Sequence, residues 1–186
     1  MSLILASQSP RRKQLLELLR VPFTVRVADI DETLATDCPI PDAVARLSLR
    51  KAQAIPRDPG DTVIAADTIV VCDGYILGKP EDRETAFKML AMLSGRTHQV
   101  MTGVTVLKGD RAESFTEITQ VRFRDLTARE IRDYIATGEP MDKAGSYGIQ
   151  GYAALFVDGI DGDYYNVMGL PVCRLSQILK EMEEHL

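Results

Sequence analysis

The 186-residue sequence has no tryptophan, only three cysteines and no long apolar run. Cys38, Cys72 and Cys173 are odd in number, far apart and without C-x-x-C spacing. This pattern predicts reduced thiols in a cytoplasmic protein, and it argues against a zinc site or a disulfide framework. We find no signal peptide and no apolar segment of the ~20 residues that a membrane span needs, so no membrane partner is expected.

The chain also lacks an excess of positive charge. It has 22 lysine and arginine residues against 27 aspartate and glutamate residues, for a formal net charge of -5. A generic nucleic-acid binder needs a basic face, so no stable nucleic-acid partner is expected. The hydrophobic content of 45% is enough for a sizeable core. One domain and two lobes that share a sheet are both compatible with this length.

Strand-like apolar runs alternate with segments of helical periodicity. We predict strands near residues 2–6, 23–28, 62–72, 98–108, 115–124 and 153–160. Helices are predicted at 10–20, 41–55, 82–93, 127–137 and 171–184. Ser9 and Pro10 are the residues expected at a helix start, and Lys108-Gly109-Asp110 is typical of a hairpin turn. The mixture predicts an α/β fold with some antiparallel pairing.

The chain does contain two arginines at the start of a predicted helix, where positive charge is unfavourable. Arg11 and Arg12 lie in the first turn of the first predicted helix, where each positive charge costs about 0.3–1 kcal/mol unless an anion offsets it. Together with free backbone N–H groups and the hydroxyls of Ser7 and Ser9, they predict a phosphate-binding site. The alternative is that both arginines extend to solvent at the helix end.

Two lysines add to these cations. Lys51 falls in the middle of the apolar face of the second predicted helix, so we expect it to reach a carboxylate or a substrate phosphate, unless it extends to solvent at the helix end. Lys79 follows Gly78 at a turn. The segment is not a P-loop, because its glycine spacing is too short and Pro80 replaces the required Ser or Thr. Lys79 is either a phosphate ligand or an ordinary exposed turn residue.

Two carboxylates are candidates for chemistry. Asp67 lies within the predicted strand 62–72, which is apolar on both faces, so its charge needs a cation, a metal, hydrogen-bond donors or a cleft. A catalytic role is favoured over an ion pair with a fixed arginine or a loop cap. Glu32 follows a strand in an acidic run with Asp29 and Asp31. Because Mg²⁺ takes one or two carboxylates plus phosphates, Glu32 and Asp67 with a triphosphate would suffice.

The glycine-rich segment 142–151 does not match the dinucleotide-binding fingerprint, although its glycines allow close backbone approach. Gln150 carries a donor and an acceptor on one amide, which suits it to reading the edge of a base. The alternative is a flexible loop stiffened by Tyr147. His98 is expected to be a strand-start histidine satisfied by local hydrogen bonds.

Seven short motifs follow one another along the chain. They are LASQSPRR at 5–12, AADT at 65–68, GKP at 78–80, Ser94-Gly95 with His98, DKAG at 142–145, YGIQG at 147–151 and NVMGLP at 166–171. In this order they closely resemble the Maf family of nucleoside triphosphate pyrophosphatases, over essentially the whole chain. Several motifs in the right order are far more specific than any one of them.

The resemblance implies an inosine-triphosphatase-like α/β fold, with an elongated mixed sheet flanked by helices and two lobes around a central cleft. It further implies one Maf-like domain over residues 1–186, often assembled as a homodimer. The expected activity is hydrolysis of dTTP, UTP and related or modified pyrimidine nucleotides to the monophosphate and pyrophosphate. The family is also associated with inhibition of septum formation, so a nucleotide-binding regulator of cell division without essential catalysis is the alternative.

The family pattern also implies roles for individual residues. Asp67 matches the proposed proton acceptor, and Arg11, Thr68 and Gln150 match positions tied to substrate choice. A divalent cation, Mg²⁺ or Mn²⁺, is expected at Glu32 and Asp67. The expected substrate-binding set is Ser7, Arg11, Arg12, Lys51, Thr68, Lys79 and Gln150.

Overall fold

The computed structural model describes residues 2–184 and their side chains up to residue 182. Within that range the strands are β1 (Leu3–Leu5), β2 (Phe23–Val25), β3 (Thr62–Cys72), β4 (Tyr75–Leu77), β5 (Thr97–Lys108), β6 (Arg111–Phe123) and β7 (Val157–Asp161). The α-helices are α1 (Pro10–Glu17), α2 (Ile40–Gln53), α3 (Arg83–Leu93), α4 (Ala128–Ala136), α5 (Tyr164–Met168) and α6 (Val172–Glu184). Short 3₁₀ turns lie at Glu139–Asp142, Ala144–Ser146 and Tyr152–Leu155.

All the strands belong to one mixed sheet. Its order is β2-β1-β3-β5-β6-β7, and β4 pairs with β3. β1 runs parallel to both β2 and β3, whereas the pairs β3–β4 and β6–β7 are antiparallel. The predicted α/β fold, with a mixed sheet flanked by helices and some antiparallel pairing, is therefore confirmed.

Several predicted boundaries were wrong, for local reasons. α1 ends at Glu17, because the N–H groups of residues 18–20 bond carbonyls three residues back, and Arg20 then takes a left-handed φ of 56°. The strand predicted at 153–160 begins only at Val157. Before it, the chain forms successive turns in which an N–H bonds the carbonyl three residues back. β2 ends at Val25. β4 and α5 are too short to show a clear periodicity.

Contacts divide the chain into two compact units. Unit 1 contains the described parts of Met1–Asp67, Thr102–Glu117 and Gly169–Leu186, and unit 2 contains Thr68–Met101 and Ile118–Met168. The boundary falls within β3, directly after Asp67. A single domain over residues 1–186 and a central cleft stay predictions.

The core of unit 1 positions α2. A Cβ atom on Gly103 of β5 would lie 2.4 Å from the carbonyl oxygen of Val44, so only glycine allows the helix backbone this close to the strand. Beside this contact, the hydroxyls of Ser48 and Thr105 are 2.8 Å apart in the buried interior. Both contacts hold the helix that carries Lys51 against the sheet. The buried cluster includes Ile4, Ala6, Ala52, Ile55, Val63, Ala65 and Leu107.

Unit 2 contains an aromatic cluster around His98. The histidine is 1% exposed, and its Nε2 lies 2.8 Å from the Tyr147 hydroxyl. Its ring also packs edge-on to Phe123, with ring centroids 5.0 Å apart. The prediction of local hydrogen bonds was wrong, because this partner lies 49 residues away. Nδ1 has no hydrogen-bond partner among the described residues, and burial lowers the pKa of His98 to about 4.

This pKa predicts a loss of stability in mild acid. An unfolded histidine titrates near pH 6.5, so between about pH 6.5 and 4 the unfolded state binds more protons than the native state. Stability is fully present above that window and falls as the pH falls through it, by about 2 kcal/mol between pH 6.5 and 4.5. We expect urea unfolding to report this loss for the wild type and a smaller one for His98→Gln. Parallel pH profiles for the two proteins would rule the effect out.

All three cysteines are free in the structure. No helix in the described part of the chain has both the length and the apolar character needed to cross a membrane.

Candidate functional site

The turn from β1 into α1 positions Ser7 and Arg12. Ser9 caps the helix by accepting a bond from the Arg12 N–H (3.4 Å), and its own N–H donates to Ser7 Oγ (3.2 Å). The Arg12 guanidinium folds back across this turn, donating from Nη1 to Ser7 Oγ (3.3 Å) and from Nε to the Gly169 carbonyl (2.8 Å). Arg12 therefore does not extend to solvent, which was the alternative.

Burial and charge act on Arg12 in opposite directions. Burial is the larger effect and lowers the pKa of Arg12, and the neighbouring cation Arg11 lowers it further. The carboxylates of Asp67 and Glu32 oppose this shift by favouring the charged form. Arg12 is thus in electrostatic contact with both predicted metal-binding acids, and Arg11 lies half-buried beside it.

Lys51 forms ion pairs with two carboxylates in unit 1. Its Nζ lies 2.7 Å from Asp67 Oδ1 and 2.8 Å from Glu32 Oε1. The Lys51 and Asp67 side chains are each 14% exposed, whereas Glu32 is 62% exposed. The prediction that Lys51 reaches a carboxylate is confirmed. We call Arg12, Glu32, Lys51 and Asp67 the charged cluster.

The acidic residues after β2 have different surroundings. Asp31 accepts bonds from the Thr33 N–H (2.8 Å) and hydroxyl (2.6 Å), so it caps its own loop. Asp29 is exposed. Glu32 is therefore the member of this run that the structure brings to Asp67, through Lys51.

The charged cluster suits a cation with few protein ligands. Among the side chains described, those of residues 2–182, no group of three or more His, Cys, Asp and Glu is arranged to hold a metal. Asp67 and Glu32 nevertheless both place an oxygen within 3 Å of one ammonium nitrogen, at 2.7 and 2.8 Å. In this structure that point is the Lys51 ammonium itself. Two neighbouring carboxylates nevertheless match the one or two that Mg²⁺ takes, with its other positions kept for water and substrate phosphates. Mn²⁺ accepts the same ligand types.

The remaining candidates belong to unit 2. Thr68 follows Asp67 along β3 and is half-buried. Lys79 is exposed after β4, next to Gly78, whose carbonyl accepts a bond from the Gly145 N–H (3.0 Å). Gln150 is exposed in the segment before the last 3₁₀ turn. The structure brings Ser7 and the charged cluster together in unit 1, and their substrate-binding roles stay predictions.

Sequence reasoning missed the role of Gly169. Its carbonyl accepts the Arg12 Nε bond, and its φ of 112° is one that side chains disfavour. The glycine stands before Leu170-Pro171 in a motif that resembles the Maf family. That position is the only signal in the sequence, because nothing local connects residue 169 with residue 12.

Comparison with known proteins identifies the family. The model of the family described as "Maf-like protein" matches residues 2–182 of the chain. The chain belongs to this family. The Maf-like chain is 54% identical over 181 residues to a dTTP/UTP pyrophosphatase of Symbiobacterium thermophilum, and the match covers 96% of this chain and 93% of the relative. It is 51% identical to a dTTP/UTP pyrophosphatase of Bacillus cytotoxicus, with coverage of 97% and 95%.

A solved structure supports the architecture. The Maf-like chain matches a HAM1 protein from Coxiella burnetii with a TM-score of 0.55 at 15% identity. The match covers 97% of this chain and 99% of that chain. At this identity the likeness shows the fold alone, and it confirms the predicted fold class.

Proposed function

We propose that this chain is a nucleoside triphosphate pyrophosphatase that cleaves dTTP, UTP and related or modified pyrimidine nucleotides to the monophosphate and pyrophosphate. The observation that carries the proposal is the charged cluster, in which a lysine and an arginine share two carboxylates. Relatives at about half identity that are named dTTP/UTP pyrophosphatase support both the reaction and the nucleotide.

The cations would bind the triphosphate. Arg12 and Arg11 lie in the first turn of α1, at the positive end of the helix dipole, which also favours anions. The Ser7 hydroxyl is within hydrogen-bond distance of Arg12 Nη1 (3.3 Å) and adds a polar group to the same turn. Lys51 and Lys79 would neutralise phosphate charge as it develops during the reaction.

Asp67 would accept a proton from the attacking water. Its carboxylate is largely buried and is fixed by the Lys51 ammonium at 2.7 Å, so its position is set before substrate arrives. In-line attack of the water on phosphorus then breaks the phosphoanhydride bond and releases pyrophosphate. Glu32 and Asp67 would hold Mg²⁺ or Mn²⁺, which when bound neutralises charge on the phosphoryl oxygens.

Gln150 and Thr68 would contribute to nucleotide choice. Gln150 is exposed, so its amide donor and acceptor are accessible to a base edge. Homodimer formation and a cytoplasmic location complete the proposal.

The test is pyrophosphate release from a panel of canonical and modified nucleoside triphosphates, with Mg²⁺ or Mn²⁺. We expect selective cleavage of dTTP and UTP, no cleavage when the metal is chelated, and weaker selectivity in Gln150→Ala. If the protein binds dTTP and cleaves no nucleotide, the regulator of cell division becomes the better account.

A further inference from the structure

The loop that carries Gln150 is held in unit 2 by the Glu139 carboxylate, directly at one end and through the Tyr134 hydroxyl at the other. Glu139 Oε2 accepts a hydrogen bond from the Tyr152 N–H (3.1 Å). Glu139 Oε1 accepts one from the Tyr134 hydroxyl (2.9 Å), which in turn accepts from the Gly148 N–H (3.2 Å). Gln150 lies midway between the two anchored residues.

A Cβ atom on either glycine flanking Gln150 would displace the Glu139 carboxylate or the neighbouring Lys143 side chain from its present position. A Cβ atom on Gly151 would lie 2.2 Å from Glu139 Oε2, and one on Gly148 would lie 2.6 Å from the Lys143 side chain. Within the loop, the Gly151 N–H donates to the Gly148 carbonyl (3.0 Å) and closes a turn around Ile149 and Gln150. The absence of side chains at both glycines lets the loop lie directly on Glu139 and Lys143.

The supports of Glu139 are themselves fixed. Lys143 Nζ donates to the Glu139 carbonyl (2.7 Å) and to Asp142 Oδ1 (2.6 Å). Tyr134 is buried, and burial, followed by its bond to Glu139, raises the pKa of its hydroxyl. The hydroxyl therefore stays protonated and donates to the carboxylate at any ordinary pH.

We propose that Glu139 is a positioning residue for nucleotide selection, which holds the Gly148–Tyr152 loop so that the Gln150 amide is oriented toward the base. The inference rests on the proposed function. An exposed loop would otherwise lose conformational entropy when substrate binds, and a loop ordered in advance avoids that cost. The carboxylate accepts directly from the Tyr152 N–H and from the Tyr134 hydroxyl, and such charge-assisted bonds are stronger than neutral ones. The Gly148 N–H is held one step further away, through the Tyr134 hydroxyl.

The expected signature of Glu139→Ala is a change in KM with little change in kcat. Base recognition is binding shared by ground state and transition state, so losing it raises KM. We expect KM for dTTP and UTP to rise about tenfold or more, the loss typical of one or two charge-assisted hydrogen bonds. The preference for dTTP over a purine triphosphate should fall by a similar factor, because the purine does not depend on the Gln150 contact.

Three further variants separate positioning from general damage. Glu139→Gln keeps one acceptor oxygen and should recover part of the KM. Tyr134→Phe removes only the link to Gly148. Its KM should lie between the KM values of Glu139→Gln and Glu139→Ala. Glu84→Ala, which removes an exposed carboxylate paired with Lys88, is the matched control and should leave KM unchanged. Amide hydrogen exchange at residues 148–152 should accelerate in Glu139→Ala and not in the control.

Gly151→Ala tests the contact between the loop and the Glu139 carboxylate by changing the loop instead of the carboxylate. Its methyl group would take the space of the Glu139 carboxylate, so it should raise KM for dTTP in the wild type. In the Glu139→Ala background the same methyl group meets no carboxylate and should have a smaller effect. Likewise, Glu139→Ala should add little to the KM of Gln150→Ala if it acts through Gln150.

The outcomes distinguish this inference from the proposed function. If the wild type cleaves neither dTTP nor UTP, the proposed function fails whatever the loop does. If the wild type cleaves them and Glu139→Ala keeps both its KM and its preference, the positioning role is wrong. The role is equally wrong if Glu139→Ala slows all nucleotides alike, or if its effect on KM adds in full to that of Gln150→Ala. Should Glu139→Ala not fold, Glu139→Gln and Tyr134→Phe carry the test.

Discussion

Asp67→Asn should reduce cleavage of dTTP and UTP by about 10³-fold, the range that a positioned general base contributes. The amide has the shape of the carboxylate and cannot accept the proton from water. Lys51 keeps its second partner, Glu32, at 2.8 Å, so the surrounding ion pairs do not collapse. We therefore expect the variant to fold normally and to retain much of its nucleotide binding.

The measurement is steady-state pyrophosphate release, with dTTP binding and thermal unfolding measured on the same preparation. Asp133→Asn is the matched control, because Asp133 is exposed on α4 beside Arg129 and takes no part in the charged cluster. We expect full activity in that control. An Asp67→Asn enzyme that keeps wild-type turnover would show that another group accepts the proton.

Lys51→Met should impair both activity and stability. Methionine approximates the length of the lysine chain and removes its charge, which leaves the Asp67 and Glu32 carboxylates without the ammonium that both now contact. Removing one partner of a fully buried ion pair costs about 3–5 kcal/mol. Glu32 is 62% exposed, so solvent screens part of this loss, and we expect about 1–3 kcal/mol.

Urea unfolding and pyrophosphate release measure the two effects of Lys51→Met separately. Lys88→Met is the control for lysine removal as such, because Lys88 pairs with Glu84 on an exposed helix surface. We expect that control to change the unfolding free energy by no more than about 0.5 kcal/mol. Equal destabilisation by the two variants would mean that the ammonium of Lys51 contributes nothing to the site beyond an ordinary surface pair.

Local rules in the sequence were sufficient for most of the secondary structure. Ser9 and Pro10 start α1 as predicted. α4 lies within the predicted helix 127–137 and begins with a capping box of Thr127 and Glu130. The apolar run at 62–72 becomes β3 with the predicted bounds. Caps and strand periodicity depend on neighbours within a few residues, so a sequence reveals them without knowledge of the fold.

The α/β class and the family follow from the sequence alone, which also places Lys51 on the apolar face of its helix. The partners of these side chains depend on the tertiary fold: Lys51 meets Asp67 and Glu32, and Arg12 meets a carbonyl 157 residues away. The hydrogen bonds by which Glu139 and Tyr134 support the Gln150 loop could not be predicted from the sequence either. Helical periodicity assigns a side chain to a face, whereas its partner depends on which distant segment the sheet brings to that face.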